Sequence, residues 1–221
     1  QVMSRAEKFA GVDGAKGAWV VALFDGTRVT WTACSSVSDV LEHTRDCARV
    51  GVDMPLSLPV DGYRVSELEA KKFLGTARSS IFHTPVADVL GAVSYEQACS
   101  ISRSKTGKAI SKQTWHILPA VRAWRDSDFD RERYVEVHPE CSFRAMSPTT
   151  VYASKKTGRG VGQRLAALTR WTGDLDLDDL PNGPLVDDIL DAAAAAWSAR
   201  RFHLGEHLTF GTDNGSDRIV A

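Results

Sequence analysis

Short apolar runs separated by turn signals open the chain. Phe9-Ala10-Gly11-Val12-Asp13 predicts a strand ending in an acid, and Trp19 to Phe24 predicts a second, closed by the turn pair Asp25-Gly26. Arg28 to Thr32 alternates and is rich in β-formers, so a third strand completes an antiparallel meander. Ser36 with Asp39 three residues on has the pattern of a capping box. Val37, Val40, Leu41, Thr44 and Ala48 give the helix that follows one apolar stripe. Val50-Gly51-Val52-Asp53 predicts a fourth strand, ended by Pro55, which cannot donate to a ladder.

From about residue 56 to 130 the pattern turns helical. Ser66 with Glu69 and Ser94 with Gln97 each mark a helix start. Trp115, Leu118, Val121 and Trp124 recur at about one turn in a third helix, where Pro119 predicts a kink or a start. Strand character returns from Arg133 to His138. Alternation puts Tyr134, Glu136 and His138 on one face and Val135 and Val137 on the other. Val161, Leu165, Leu168 and Trp171 predict a helix after a glycine-rich stretch. The clearest helix runs from Leu185 to Phe202, with Ile189, Ala193 and Trp197 in one stripe and Gly205 as its stop. The polar last dozen residues read as frayed.

The predicted order is β-β-β-α-β-(insertion)-β-α-α. That order implies an α/β domain spanning residues 1–221, with a mixed five-stranded sheet flanked by helices and a helical insertion at about 56–130. It is not the repeated alternation of a dinucleotide fold. Neither G-x-G-x-x-G nor G-x-x-x-x-G-K-[ST] occurs.

With 221 residues, 43% of them hydrophobic and 25% charged, the chain has the composition of a soluble globular protein with a sizeable core. Four scattered cysteines without a C-x-x-C pair exclude a zinc ribbon and argue against a disulfide framework. No run approaches the length of a membrane span, and Gln1 to Lys8 is polar without the apolar core of a secretory signal. The expectation is a reduced, cytoplasmic protein.

The formal net charge of −1 hides blocks. Ser102 to Arg125 and Cys141 to Gly173 each hold six basic residues and no acid, whereas Asp174 to Asp191 holds seven aspartates and no base. A polyanion approaching a cationic metal site requires such local fields, although each block alone also reads as a solvated face.

Asp13 ends the first strand, Asp53 ends the fourth, and Asp188 and Asp191 open the last helix on one face at i, i+3 spacing. Asp187 pairs with Asp191 at i, i+4, so spacing leaves Asp187 and Asp188 open. Two carboxylates about 4 Å apart repel by about 4 kcal/mol at an effective dielectric of 20. Such a cluster persists only around a cation or with members protonated, and Mg²⁺ or Mn²⁺ fits oxygen ligands. Each acid alone also reads as a cap or turn residue; their conjunction carries the argument. His203 and His207 flank Gly205 and lack the following Glu of a zinc-protease helix. Ser79-Ser80 lacks the glycine context of a nucleophile.

Several of these stretches resemble a family. Gly11-Val12-Asp13-Gly14 with Gly17-Ala18-Trp19, Val52-Asp53-Met54-Pro55, Glu136 to Phe143, and Asp187-Asp188-Ile189-Leu190-Asp191-Ala192 resemble the domain of unknown function 429 family. Arg78 to Phe82 with Pro85, Ile110 to Gln113 and Ser154-Lys155-Lys156 extend the likeness over about residues 10–201. The resemblance implies a ribonuclease-H-like fold and a nuclease. Asp188-x-x-Asp191-Ala is also similar to the last catalytic helix of RuvC-type resolvases, which favours Asp188. Ribonucleases H carry an acid on the first helix, whereas here Asp39, Glu42 and Asp46 include none that stands out. Glu136 and Glu140 are ligands particular to this family or partners for a basic residue, with Glu136 ahead.

The function expected is a divalent-metal-dependent phosphodiester hydrolase acting on nucleic acid by a two-metal mechanism. Asp13 would bridge two Mg²⁺ or Mn²⁺ ions, Asp53 and Asp188 would each hold one, and Asp191 or Glu136 would complete the shell. Lys112, Lys155, Lys156 and Arg159 would contact phosphates. His138 is a candidate proton shuttle, although a hydrogen-bonded strand histidine is the plainer reading. The partner expected is nucleic acid, with no membrane; a homodimer is also admitted. The rivals are a catalytically inactive nucleic-acid-binding module of the same fold and an actin-like phosphotransferase, for which the chain lacks a second half.

Overall fold

The computed structural model describes residues 7–212 and 217–221. In chain order the elements are β1 (Lys8–Ala15), β2 (Ala18–Phe24), β3 (Val29–Cys34), α1 (Val37–His43), β4 (Cys47–Val52), α2 (Val65–Leu74), α3 (Tyr95–Thr106), α4 (Lys112–Asp126), β5 (Tyr134–Glu136), α5 (Pro139–Met146), α6 (Gly158–Thr172), α7 (Val186–Leu204), β6 (Thr209–Gly211) and β7 (Arg218–Val220). Two short 3₁₀ turns, Gly75–Ser80 and Ala87–Gly91, lie between α2 and α3. No helix among the described residues is long and apolar enough to cross a membrane.

The chain divides into two compact units. The first takes in residues up to Met54, Phe129–Leu208 and the last two residues; the second takes in Pro55–Asp128 and Thr209–Ile219. The larger segment of the second unit carries α2, α3 and α4, and the unit also draws on residues near the end of the chain.

In the first unit the sheet has the order β3-β2-β1-β4-β5, with β1, β4 and β5 parallel and β2 antiparallel to β1 and β3. This is the mixed five-stranded α/β arrangement expected from the sequence. Lys16 and Gly17 both have positive φ and join β1 to β2 in a two-residue hairpin, the geometry that matches strand twist. Ser36 caps α1 by accepting from the Asp39 amide, as predicted. The helix stops at His43, however, so Ala48 belongs to β4 and not to its apolar stripe.

Helix α7 lies on the sheet where β1 and β4 carry glycine. Gly11 and Gly51 are register partners. A Cβ on Gly11 would meet the Ala192 carbonyl and the Ala196 amide; one on Gly51 would meet the Ala195 carbonyl and Val137 Cγ2. The run Ala192–Ala196, fully buried, supplies the other half of this close approach, because small side chains let helix and strand backbones touch. On α7's other side pack Phe143 of α5 and Ala167 and Leu168 of α6, with Ser142 and Ser198 sharing a buried hydrogen bond of 2.7 Å. The helix is therefore buried nearly all round, not along the single stripe of Ile189, Ala193 and Trp197.

Helix α5 has no counterpart in the predicted order. Its eight residues begin with Pro139 at the first helical position, where the missing N–H costs nothing, and His138 precedes it.

In the second unit, Ser94 caps α3 as predicted, accepting from the Gln97 amide while Gln97 accepts from Val93. Ser111 caps α4, which runs through Pro119 without a break. Helix α2 departs from expectation: it begins at Val65, ahead of Ser66. The Asp217 carboxylate takes the amides of Val65 and Ser66 and the Ser66 hydroxyl, so a distant acid does the capping. The terminal dozen residues are accordingly not frayed where described. β6 pairs with β7, and Val220 and Ala221 are fully buried. Residues 1–6 of the polar amino-terminal stretch, and 213–216 of that last dozen, lie outside the described residues.

Candidate metal centre

Strand alternation fixes where the acids point. Because Gly11 and Gly51 face α7, so do Asp13 and Asp53, two residues further along adjacent parallel strands. The Asp53 amide donates to the Val12 carbonyl at 2.9 Å, which continues the ladder and keeps the two acids side by side. Asp191 lies on α7 one residue before Ala192, whose carbonyl covers Gly11. The glycine–alanine contact therefore sets the height at which Asp191 meets the strand ends. One carboxylate oxygen from each of Asp13, Asp53 and Asp191 lies within 4.8 Å of the others.

The acids are held out of water. Asp13 and Asp191 are 8% and 2% exposed, and Asp53 is half-buried. Burial, followed by the charges of Asp53 and Asp191, pushes the Asp13 carboxyl well above its usual range, against the opposing charge of Lys155. Burial likewise raises Asp53, aided by Asp191 and Glu136 and opposed by Lys155 and a hydrogen bond from Asp13. It raises Asp191 as well, with Lys155 opposing. Three carboxylates of which some hold protons, for want of a stronger cation, have the electrostatics of an ion site.

Basic residues close the cluster. Lys155 Nζ donates to Asp191 Oδ2 and lies 3.8 Å from Asp187 Oδ2. Lys156 Nζ donates to Asp187 Oδ2 at 2.5 Å. Asp191 Oδ1, by contrast, is buried without a hydrogen-bond partner among the described residues. That orphaned oxygen, in an all-carboxylate donor set, fits a hard divalent cation such as Mg²⁺ or Mn²⁺.

The other sequence candidates fall as follows. Asp188 is half-buried, and its Oδ2 accepts from the Leu185 amide at 2.9 Å, capping α7; its charge still reaches Asp13. Asp187, passed over on resemblance, is the buried member of that pair and the one the two lysines reach. Glu136 is buried, but it pairs in register with Val52, and alternation places it on the sheet face opposite Gly51 and α7. Glu140 makes both oxygens available to Arg164, at 2.7 and 2.9 Å. His138 is half-buried at the start of α5, its carbonyl accepting from Cys141 and Ser142. Arg159 is exposed on the first turn of α6. Lys112 is exposed in the second unit, over the Tyr95 ring at 5.9 Å.

Sequence reasoning took Lys155 and Lys156 as phosphate contacts and gave Arg164 no role in the site. Nothing in the spacing of lysines shows which way they turn. The buried arginine that organises their loop stands in a helix of ordinary amphipathic pattern.

A family model described as "Protein of unknown function (DUF429)" matches residues 11–215. Neither the curated proteins nor the solved structures give a match.

Proposed function

The chain belongs to the DUF429 family, and from that premise and the geometry of the acids we propose that it is a divalent-metal-dependent phosphodiester hydrolase acting on nucleic acid. The observation that carries the reading is the convergence of Asp13, Asp53 and Asp191, from two adjacent strands and a helix, on a point less than 5 Å across, with Asp191 Oδ1 buried and unpartnered among the described residues. The resemblance to ribonuclease-H-like nucleases and RuvC-type resolvases supports the same reading.

Asp13, Asp53 and Asp191 would hold the ion, Mg²⁺ or Mn²⁺. Bound there, a divalent ion supplies Lewis acidity toward a phosphoryl oxygen and lowers the pKa of a bound water. The residues do the rest. The close contact of α7 with β1 and β4 fixes the carboxylates, so they need no rearrangement when loaded. Asp188 holds the first turn of α7 in place through its cap. Lys156, paired with Asp187, and Arg159, exposed on the first turn of α6, are the candidates for backbone contacts to a polyanion. The four cysteines are buried and unpaired, which fits a reducing compartment, and we place the protein in the cytoplasm.

The test is cleavage of linear and branched DNA and RNA with Mg²⁺ or Mn²⁺, with Asp191→Asn as control. Metal-dependent cutting lost in the variant supports the proposal. Equal cutting by both proteins assigns the activity to another site or to a contaminant. Binding without cutting, retained in Asp13→Ala, supports instead a nucleic-acid-binding module.

A further inference from the structure

The expectation of two ions takes no account of Lys155. Its ammonium is already within the acidic centre, on Asp191 Oδ2 and close to Asp187 Oδ2, and Asp13 and Asp53 also feel its charge. We propose that Lys155 fills the position of a second cation, so that the centre takes up one divalent ion per chain.

Charge balance is the first argument. Asp187 is matched by Lys156, whereas Asp188 is capped by the uncharged Leu185 amide and keeps its charge. Asp13, Asp53 and Asp191 are the three acids that each offer an oxygen to the centre. One divalent ion together with the lysine matches the charge of these three; Asp188 and Glu136 act on Asp13 and Asp53 from outside that donor set. A second divalent ion would have to expel the ammonium from Asp191 Oδ2.

Lys155 is also built into place. Its side chain is 35% exposed, where Lys156 is 65%. The loop that carries it is tied at several points: Ala153 donates to Gln163 Oε1 at 2.7 Å, and the Ala153 carbonyl accepts from Arg164 at 2.9 Å. Thr157 caps α6 by accepting from the Gly160 amide. Gly160 packs so tightly on Ser154 that a Cβ would strike its carbonyl. These ties fix the backbone from which Lys155 reaches Asp191.

The division of Asp191 is the third argument. Oδ2 is taken by the lysine while Oδ1 is buried and unpartnered among the described residues. One carboxylate thus faces two cation positions, with one of them filled by the protein itself.

This inference rests on the metal centre proposed above, and it is tested by counting ions. Mn²⁺ bound per chain is measured by equilibrium dialysis and electron paramagnetic resonance on the full chain, with the Asp13→Asn/Asp191→Asn double variant as blank. The expected counts are one for the native protein, one for Lys155→Arg, and two for Lys155→Met. Two ions on the native protein or on Lys155→Arg overturn the inference and leave the metal centre standing. One ion on Lys155→Met, with a native melting transition, overturns the role given to Lys155. No Mn²⁺ above the blank on the native protein overturns the metal centre itself. Should Lys155→Met fail to fold, the native and arginine counts still decide between one ion and two.

Discussion

Gly11 on β1 and Ala192 on α7 are in backbone contact: a single methyl group on the glycine would overlap the alanine's carbonyl oxygen. Because Asp13 and Asp191 lie two residues and one residue from this contact, the same closeness that packs the core also sets the spacing of the acids. Gly11→Ala is expected to lower stability by about 3 kcal/mol, the upper end of overpacking costs, because backbone and not a flexible side chain must move. Urea unfolding measures the loss. At a denaturant concentration where the variant is still folded, its Mn²⁺ affinity should fall at least tenfold. Unchanged affinity would show that the acids do not depend on this contact for their placement.

The acids also set a pH dependence for the metal-free protein. Burial, chiefly, pushes Asp53 up to about 7 and Asp191 up to about 6, with neighbouring acids adding to it and Lys155 opposing in both. In the unfolded chain both return to about 3.9. Between those values the folded protein binds more protons than the unfolded one, so stability falls as pH rises from about 4 to about 7. Thermal melting without metal should show this decline. Saturating Mg²⁺ or Mn²⁺ should raise the melting temperature more at pH 8 than at pH 5, because Asp53 and Asp191 are ionised at the higher pH. Asp53→Asn should flatten the metal-free profile. A melting temperature that climbs steadily from pH 4 to 8 without metal would contradict the buried-acid account.

How legible all this was in the sequence depended on whether the deciding interaction was local. The β1–β2–β3 meander, the Ser36 and Ser94 caps and the Gly205 stop follow from neighbouring residues, and they are found where the pattern put them. Asp13, Asp53 and Asp191 were legible because each lies in, or directly after, an element whose pattern is strong. Helix α5 was missed because the apolar content of Pro139–Met146 is too brief to show a period, and only Pro139 at its start marked it. The start of α2 was misplaced because its cap, Asp217, is about 150 residues away in the chain. The choice between Asp187 and Asp188, and the inward turn of Lys155, rest on contacts across more than 30 residues, which spacing does not encode.

That remote cap yields a prediction for the second unit. Asp217 Oδ1 accepts from Arg64 Nε at 3.0 Å, and Arg64 is only 3% exposed. Partial burial pushes the Asp217 carboxyl up, but the Ser66 hydroxyl and the Arg64 charge outweigh it and hold it below its ordinary value. Its contribution to stability is therefore complete above about pH 4 and is lost as pH falls through the depressed folded value. Asp217→Asn should cost about 1–2 kcal/mol at neutral pH, the size of a lost cap with a charged partner. It should also remove part of the acid-unfolding limb. Hydrogen exchange at the Val65 and Ser66 amides should accelerate in the variant, and protection equal to the native protein's would refute the capping role.

Arg164 is the buried charge on which the lysine loop depends. At 2% exposure it spans the Glu140 carboxylate on one side and the Ala153 and Gly160 carbonyls on the other, with its guanidinium 5.3 and 5.1 Å from the Phe143 and Tyr152 ring centres. Removing it leaves Glu140 without its partner and two carbonyls without their donor. Arg164→Met should therefore destabilise by about 3–5 kcal/mol, as breaking a buried pair does. Restoring neutrality with Glu140→Gln in the same chain should recover part of the loss, because no unpaired charge then remains buried. The loop consequence separates this from a simple packing defect. With Ala153 released, Lys155 should no longer be held on Asp191, so lysine-selective acetylation followed by mass spectrometry should modify Lys155 several-fold faster in Arg164→Met than in the native protein, with the exposed Lys112 as internal reference. Equal rates at Lys155 in both would mean that the loop keeps its shape without the arginine.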